Sequence, residues 1–458
     1  MSSIALVDNA ATAMAQAFEG QLLRPADPDY EMARRVHNGL IDKRPALIAR
    51  CRSAADVVAA VTLTHKLGLV PAVRGGGHNV AGRATIDGGV MIDLSLMKGI
   101  EIDAERRTVC AEGGVTWGEL NDVTQRHALA VTGGVVSTTG IAGLTLGGGL
   151  GWLMGKHGLA LDNLRAVTLV TADGKLLRAS AEEEPDLFWA VRGGGGNFGV
   201  AVRLEYALHP IGPIVVGGPI VHPIERAREM LHFFREHTGD LSDEHTLFAA
   251  LTHAPDGSGV DVAALVTCHC GAPADAEEAM RPLKSFGAPL LDAVGPLPYA
   301  QLNSMLDANY PKGALNYWKS NFLAELSDAA IDTMADCFAR CPTPMGQLLL
   351  EHIHGAATRV DPAATAFPHR KAGYNFLVLA QWTDPADTQR CIAWARETYQ
   401  SMKPFFAAGR YVNYLDDDEA GDPVADAYGP NYRRLQQIKA KYDPGNFFRM
   451  NQNIRPLA

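Results

Sequence analysis

The 458-residue chain has little positive charge, no long apolar run and no ordered cysteine pattern. Lys and Arg number 41 against 51 Asp and Glu, for a formal charge of −10. Nucleic-acid binders need a basic stripe to neutralise phosphates, and none is present, so no nucleic-acid partner is expected. No stretch approaches the roughly 18 apolar residues of a membrane-spanning helix, so no membrane partner is expected either. The seven cysteines are odd in number and scattered, which fits reduced thiols better than a disulfide framework. Cys268 and Cys270 are two apart on an apparent strand, the wrong spacing for a zinc knuckle. Residues Ser2 to Phe18 hold no Lys or Arg, and Asp8, Asn9 and Gln16 break any apolar run. No export signal is expected, and the expected location is cytoplasmic. Gly/Ser linkers, low-complexity tracts and internal repeats are absent too.

What is abundant is glycine, with 46 residues in a chain that is otherwise of ordinary globular composition, 47% hydrophobic and 20% charged. The glycines cluster at 75–77, 133–134, 147–149 with 151, and 193–196. Such clusters mark backbone with unusual dihedrals or close approach to a ligand. From about Leu47 to Pro210, helices and strands alternate. Ser53 and Asp56 open a helix bearing Val57, Val58, Val61 and Leu67. A strand over Leu69–Val73 then runs into Arg74-Gly75-Gly76-Gly77-His78-Asn79. A second cycle is expected as strand Arg107–Glu112, helix Thr116–His127 and strand Leu129–Thr132. Asp173-Gly174 predicts a type I′ hairpin. From Gly217 to Phe406, helices at Ile224–His237, Ala274–Phe286, Asp328–Arg340 and Asp384–Gln400 mix with strands at Thr246–His253, Gly259–Cys268, Gln347–His354 and Tyr374–Gln381. This order predicts an antiparallel sheet backed by helices. A strand Tyr411–Tyr414 and a helix Asn431–Lys441 follow.

Gly194 to Gly199 fits G-x-G-x-x-G formally. A dinucleotide fold needs a strand before it and a helix after it; here a helix (Pro185–Val191) precedes and a strand (Val200–Leu208) follows, so that reading fails. The loop Arg74–Asn79 is different, because its glycines let backbone N–H groups wrap a diphosphate with His78 beside it. Its plainer reading is a glycine turn with a surface histidine. Gly140-Ile-Ala-Gly143-Leu-Thr-Leu-Gly147-Gly148-Gly149-Leu-Gly151-Trp152 suggests buried backbone against a planar ligand, or else a tightly packed turn.

Taken together, these segments resemble the FAD-linked oxidases of the vanillyl-alcohol oxidase / p-cresol methylhydroxylase (PCMH-type) superfamily. Within it they are similar to the berberine-bridge-enzyme-like branch, of the bacterial 6-hydroxy-D-nicotine-oxidase-like type. The carriers are Pro71 through Gly82, Gly140 through Trp152, Lys156-His-Gly158-Leu-Ala-Leu-Asp162-Asn163, Asp186 through Val200, Tyr411-Val-Asn413-Tyr414, and Lys441 through Arg449 with Asn451-Gln452. The resemblance implies an α+β fold. A two-part FAD-binding domain (1–215 and 407–458) would hold an inserted antiparallel-sheet substrate domain (216–406). It implies FAD bound through an 8α-histidyl link to His78. The position of a second, cysteinyl link in some members is Val136 here, so none is expected. It further implies a cofactor site built from Arg74, Gly75, Gly76, Gly77, His78, Asn79, Val80, Gly82, Gly133, Gly134, Thr138, Thr139, Gly140, Gly143, Gly147, Gly148, Gly151, Trp152, Gly158, Asp162, Asn163, Val200, Asn413 and Asn451.

Flavin accepts hydride at N5, and the substrate must also lose a proton to a positioned base. Tyr411 and Tyr414 match the family's tyrosine-bearing segment beside the flavin; either is the base, or both are packing residues. Glu351 is a second candidate, on the strand face opposite His352 and His354. The two histidines could pair on a metal, but no third ligand is evident and none is expected. Tyr317, Trp318 or Phe322 would line a cleft for aromatic or heterocyclic molecules. The family's oxygen-gating position is Thr139, short and β-branched, which implies an oxidase using O2. A dehydrogenase with another acceptor and a non-catalytic flavin carrier are the alternatives. The partners expected are a small-molecule substrate and O2, in a monomer or homodimer.

Overall fold

The computed structural model describes residues 3–14, 16–254, 256–418 and 421–457. Among these, the first layer is a four-stranded sheet ordered Gln21–Leu23, Leu47–Arg50, Val90–Asp93, Pro71–Arg74. The last three strands run parallel. The inner pair is apolar on both faces, with Leu47, Ile48, Val90, Met91 and Ile92 buried, as a doubly covered parallel sheet requires. Helix Ala54–Lys66 covers one face through Val57, Ala60 and Val61. Ser53 caps it by accepting from the Asp56 amide at 3.2 Å. Asp56 itself is buried and accepts from the amides of Glu19, Gly20 and Arg52 at 2.8–3.0 Å.

The second layer is a five-stranded antiparallel sheet ordered Ile100–Asp103, Thr108–Glu112, Val200–Ala207, Leu164–Val170, Leu176–Ser180. Its buried side, which includes Tyr206, packs on Trp117, Trp189 and, from the C-terminal segment, Leu435 and Ile454. The hairpin at Asp173-Gly174 forms, but its turn is not type I′. Only Gly174 has positive φ (77°), and Thr171 closes a longer loop by pairing with Lys175. The one extra loop residue removes the need for left-handed backbone at Asp173.

The third unit is antiparallel throughout. Its strands lie in the order Leu291–Asp292, Ile214–Pro223, Asp261–His269, His245–His253, Gln347–Ile353, Gly373–Trp382, Leu315–Leu323, with Gly295–Pro298 also on Ile214–Pro223. Helices Ala227–Thr238, Asp328–Phe338 and Thr388–Met402 bury one face through Phe234, Met334 and Trp394. The other face, with Phe248, Phe322 and Ile353, meets Trp152, Leu153 and Tyr411. Alternation places Glu351 on this inner face, while His352 stacks with His354 and leans on Tyr374. The expected strand Tyr411–Tyr414 is instead a 3₁₀ turn over Val412–Tyr414. It pairs with no strand, and its side chains pack against the glycine segment.

Asp56 is the acceptor that ties the N-terminal segment to the first sheet. Asp56→Ala strands three backbone donors and should cost about 2–4 kcal/mol, read as a lower midpoint in denaturant unfolding.

Candidate active site

Between the three units lies one cavity, walled by Gly75 to Val80, Gly134 to Val136, Thr139, Gly140, Gly143, Gly147, Gly195 to Asn197 and Asn451. At its other end stand Leu150, Tyr310, Trp318 and Tyr414. Two glycine loops meet in its wall. A Cβ on Gly76 would lie 2.7 Å from the Gly140 Cα, closer still to its nitrogen, and one on Gly140 would reach the Gly76 Cα at 2.9 Å. The two backbones are in contact, and no side chain fits at either place. This leaves a wall of bare peptide beside the parallel strand Pro71–Arg74. Such a wall suits a flat ring system and a phosphate chain held by N–H groups.

His78 stands on the rim of that wall. Its Nε2 is 2.9 Å from Thr138 Oγ1 and its Nδ1 is 3.4 Å from Thr139 Oγ1. His37 stacks on it with ring centroids 3.9 Å apart. Burial, followed by the neighbouring His37, pushes the His78 pKa down to about 3, so the ring is neutral.

At the other end, the Tyr414 hydroxyl donates to Glu351 Oε1 at 3.3 Å. Asn375 Nδ2 donates to the other carboxylate oxygen at 2.7 Å. Glu351 is buried, and that burial raises its pKa to about 7 against the two hydrogen bonds. Tyr414 is pushed up as well, by burial and by Glu351.

The comparisons agree with this geometry. The FAD binding domain family matches residues 45–180, and the berberine and berberine-like family matches 410–455. The (R)-6-hydroxynicotine oxidase of Paenarthrobacter nicotinovorans is 32% identical over 96% of this chain and 97% of its own. An FAD-linked oxidoreductase of Dictyostelium discoideum is 30% identical over 96% of each. The chain belongs to the berberine-bridge-like FAD-linked oxidoreductases. The solved 6-hydroxy-D-nicotine oxidase of Arthrobacter nicotinovorans superposes with a TM-score of 0.88 at 30% identity, covering 96% of this chain and 98% of that one. A chitooligosaccharide oxidase shares the fold, with a TM-score of 0.85 at 24% identity over 98% of this chain and all of that one. This berberine-bridge-like enzyme thus has the expected α+β, PCMH-type architecture. Its bare peptide wall fits FAD, and FAD supplies the hydride acceptor there.

The residues expected from sequence divide into three groups. Gly75, Gly76, Gly77, His78, Asn79, Val80, Gly134, Thr139, Gly140, Gly143, Gly147, Asn413, Tyr414 and Asn451 line the cavity, as does Val136. A second group stands directly behind the wall. Arg74 turns away to pair with Asp93 at 2.9 Å and to donate to the Ala33 carbonyl at 2.7 Å. Thr138 flanks His78 from the far side. Gly82 packs on Ile41, Gly133 on Trp117, and Gly148 on Tyr411 and Phe367. Gly151 abuts the Gly133 carbonyl, and Val200 lies in the core of the first layer. The Tyr411 hydroxyl accepts from the amides of Gly149 and Leu150 at 2.9 and 3.3 Å and from Asn413 Nδ2 at 2.9 Å. It anchors the glycine turn. The third group braces the junction with the large sheet. Trp152 stacks on Phe248, Asp162 holds Arg370 at 2.7 and 2.8 Å, and Asn163 accepts from His209 Nε2 at 2.6 Å and donates from Nδ2 to the Leu159 carbonyl at 2.8 Å. Gly158 abuts Asp162.

Of the three aromatic residues expected in a cleft, only Trp318 lines it. Tyr317, one residue off in the alternation, donates to Asp418 on the opposite side at 2.6 Å, and Phe322 packs on His369. Sequence reading missed Tyr310, His37, Asn375 and the stretch Gly195–Asn197. The glycine cluster at 193–196 is the available signal for that stretch; its helix-then-strand order excludes a dinucleotide fold but not a ligand contact.

Gly76→Ala should abolish FAD binding in a chain that still folds, because the added methyl forces the two loops apart. Absorbance of the purified protein near 450 nm relative to 280 nm measures it, with circular dichroism confirming the fold.

Proposed function

We propose that the enzyme oxidises a CH–OH or CH–NH group of a small organic substrate, on FAD joined to His78 alone, and discharges electrons to O2. Residues 1–215 and 407–458 would hold FAD, and 216–406 would cover the substrate. The observation that carries the proposal is the contact between Tyr414 and Glu351. Tyr414 lines the cavity, and Glu351 stands behind it. With Glu351 ionised, the phenol hydrogen points at the carboxylate and the phenol oxygen turns a lone pair to the cavity. A substrate proton passes to that oxygen while the phenol proton passes to Glu351. Asn375 holds the second carboxylate oxygen, so Oε1 is fixed on Tyr414. Oxidase names among the relatives support the reading. The small Thr139 beside His78 leaves room for oxygen.

The relay needs Glu351 charged. Its pKa is raised, to about 7, so substrate-driven flavin reduction should fall as pH drops through that value. Glu351→Gln should remove this limb and slow reduction by about 10²–10⁴-fold. Tyr414→Phe should slow it similarly. Tyr411→Phe, whose hydroxyl is bound by the glycine-turn amides and makes no bond to Glu351, should leave the reduction rate within a few-fold. Anaerobic stopped-flow reduction across pH reads all three. A flat profile between pH 6 and 8 would remove Glu351 from the mechanism.

Covalent attachment and oxygen use have separate tests. Acid-precipitated protein should stay yellow, with the FAD mass on the His78 peptide and on no cysteine peptide. Thr139→Leu should slow reoxidation by O2 while sparing reduction, and wild-type protein that reoxidises as slowly as this variant is a dehydrogenase.

A further inference from the structure

His78 is held from three sides, by Thr138 in a second hollow and by Thr139 and His37, which line the cavity. Thr138 sits in an exposed turn on the far side of the loop, where a second hollow is lined by His37, Arg74, His78, Thr138 and Lys312. Its hydroxyl is 2.9 Å from Nε2. Thr139, on the cavity side, faces Nδ1 at 3.4 Å. The two ring nitrogens therefore look in opposite directions, Nε2 to the open hollow and Nδ1 to the cavity. His37 lies flat against the ring, with planes 25° apart. Its own backbone is tied to the same loop, since its amide donates to the Gly77 carbonyl at 3.0 Å. The next element is tied to it in turn, as the Gly313 amide donates to the His37 carbonyl at 2.9 Å. A neutral imidazole has one protonated and one bare nitrogen, and the hydrogen bond at one decides the other.

We propose that Thr138 and His37 are positioning residues for flavin attachment: the Thr138 hydroxyl accepts from Nε2–H and the His37 ring blocks rotation, so that the bare Nδ1 is aimed at the flavin methyl carbon. This rests on the covalent reading given above. Attachment replaces a C–H bond of the 8α-methyl group by a C–N bond to Nδ1. The methyl carbon loses a proton to solvent. The imidazole loses its Nε2 proton through the Thr138 hydroxyl to the open hollow. The electron pair left behind rests on the ring system and passes to O2, which takes up two protons and leaves as H2O2. One O2 is consumed for each bond formed.

The full-length chain, freed of flavin and then loaded with FAD in air, tests this. The readout is the fraction of bound flavin that stays with acid-precipitated protein over time. Thr138→Ser keeps the acceptor and should attach flavin within about threefold of the wild-type rate. Thr138→Val has the same shape without the hydroxyl; it should bind FAD but attach it at least tenfold more slowly. His37→Phe keeps the stack and should behave as wild type, whereas His37→Ala should be slow. Proteolysis of wild-type protein and NMR of the flavin-histidine fragment should show the bond at Nδ1. Attachment at the wild-type rate by Thr138→Val, or a bond at Nε2, overturns the inference while leaving the covalent reading intact. Wild-type protein that binds FAD and releases all of it on acid precipitation overturns both. If Thr138→Val does not fold, the linked nitrogen in the wild-type fragment decides.

Discussion

The contact between the backbones of Gly76 and Gly140 is the constraint on which the site depends. Gly76 follows the strand Pro71–Arg74 of the first sheet; Gly140 opens the short helix Ile141–Leu146 and bridges to Thr116. Two chain segments of different layers are thus pressed together at a point where each lacks a side chain. The result is a peptide surface flat enough for a ring and rich in N–H groups. The same contact sets the chemistry. His78 lies two residues after one glycine, and Thr138 and Thr139 lie just before the other. Closing the loops therefore brings the imidazole between the two hydroxyls. The cradle and the placement of the imidazole are products of one packing event.

The other end of the cavity is held by charges and amides where the first end is held by bare backbone. Asn38 is buried and donates from Nδ2 to the carbonyls of Val80 and Asn316 at 2.8 and 2.9 Å. It accepts the Asn316 amide in return at 2.9 Å. This stitches the stretch just after His78 to the strand that carries Trp318. On the same strand, Lys319 is nearly fully buried and bonds Asp416 at 2.6 Å and Asp418 as well. Both aspartates follow Tyr414 closely. A buried pair of this kind adds little net stability, since desolvation offsets most of the attraction, but removing one partner is severe. Its value here is placement, because it fixes the turn that presents the Tyr414 hydroxyl.

Much of the fold was legible because its signals are local. The helices over Ala227–Thr238, Pro273–Ser285 and Asp328–Phe338 and the strands His245–His253 and Gly373–Trp382 carry clear periodicity, and they form within a few residues of the expected bounds. Less legible were short strands whose existence depends on distant partners. Gln21–Leu23, Val90–Asp93 and Ile100–Asp103 are three or four residues long, too short to show a period. Leu315–Leu323 was hidden by polar residues, since Asn316, Lys319 and Asn321 face buried partners that sequence does not display. The same limit governed the site. Glycine clusters announced the cradle, since their reason for being glycine is local crowding. Tyr310, His37 and Asn375 matter only through what the fold sets beside them, and no spacing records that.

The division of labour between Tyr411 and Tyr414 follows from a single 3₁₀ turn. Three residues per turn place positions i and i+3 nearly above one another, so two tyrosines three apart can pack edge to face, as these do with centroids 4.9 Å apart. On a strand they would have pointed to opposite faces. The turn lets one ring support the other while their hydroxyls reach different partners. Tyr411 collects the amides of the glycine turn and Asn413, and so stiffens the wall. Tyr414 reaches across to Glu351, which the inserted sheet supplies. The Tyr414–Glu351 hydrogen bond therefore forms only when the C-terminal segment and the sheet are docked on each other. The cradle, by contrast, needs neither Glu351 nor its strand. The cradle and the Tyr414–Glu351 contact are thus assembled by separate contacts, so each can be lost without the other.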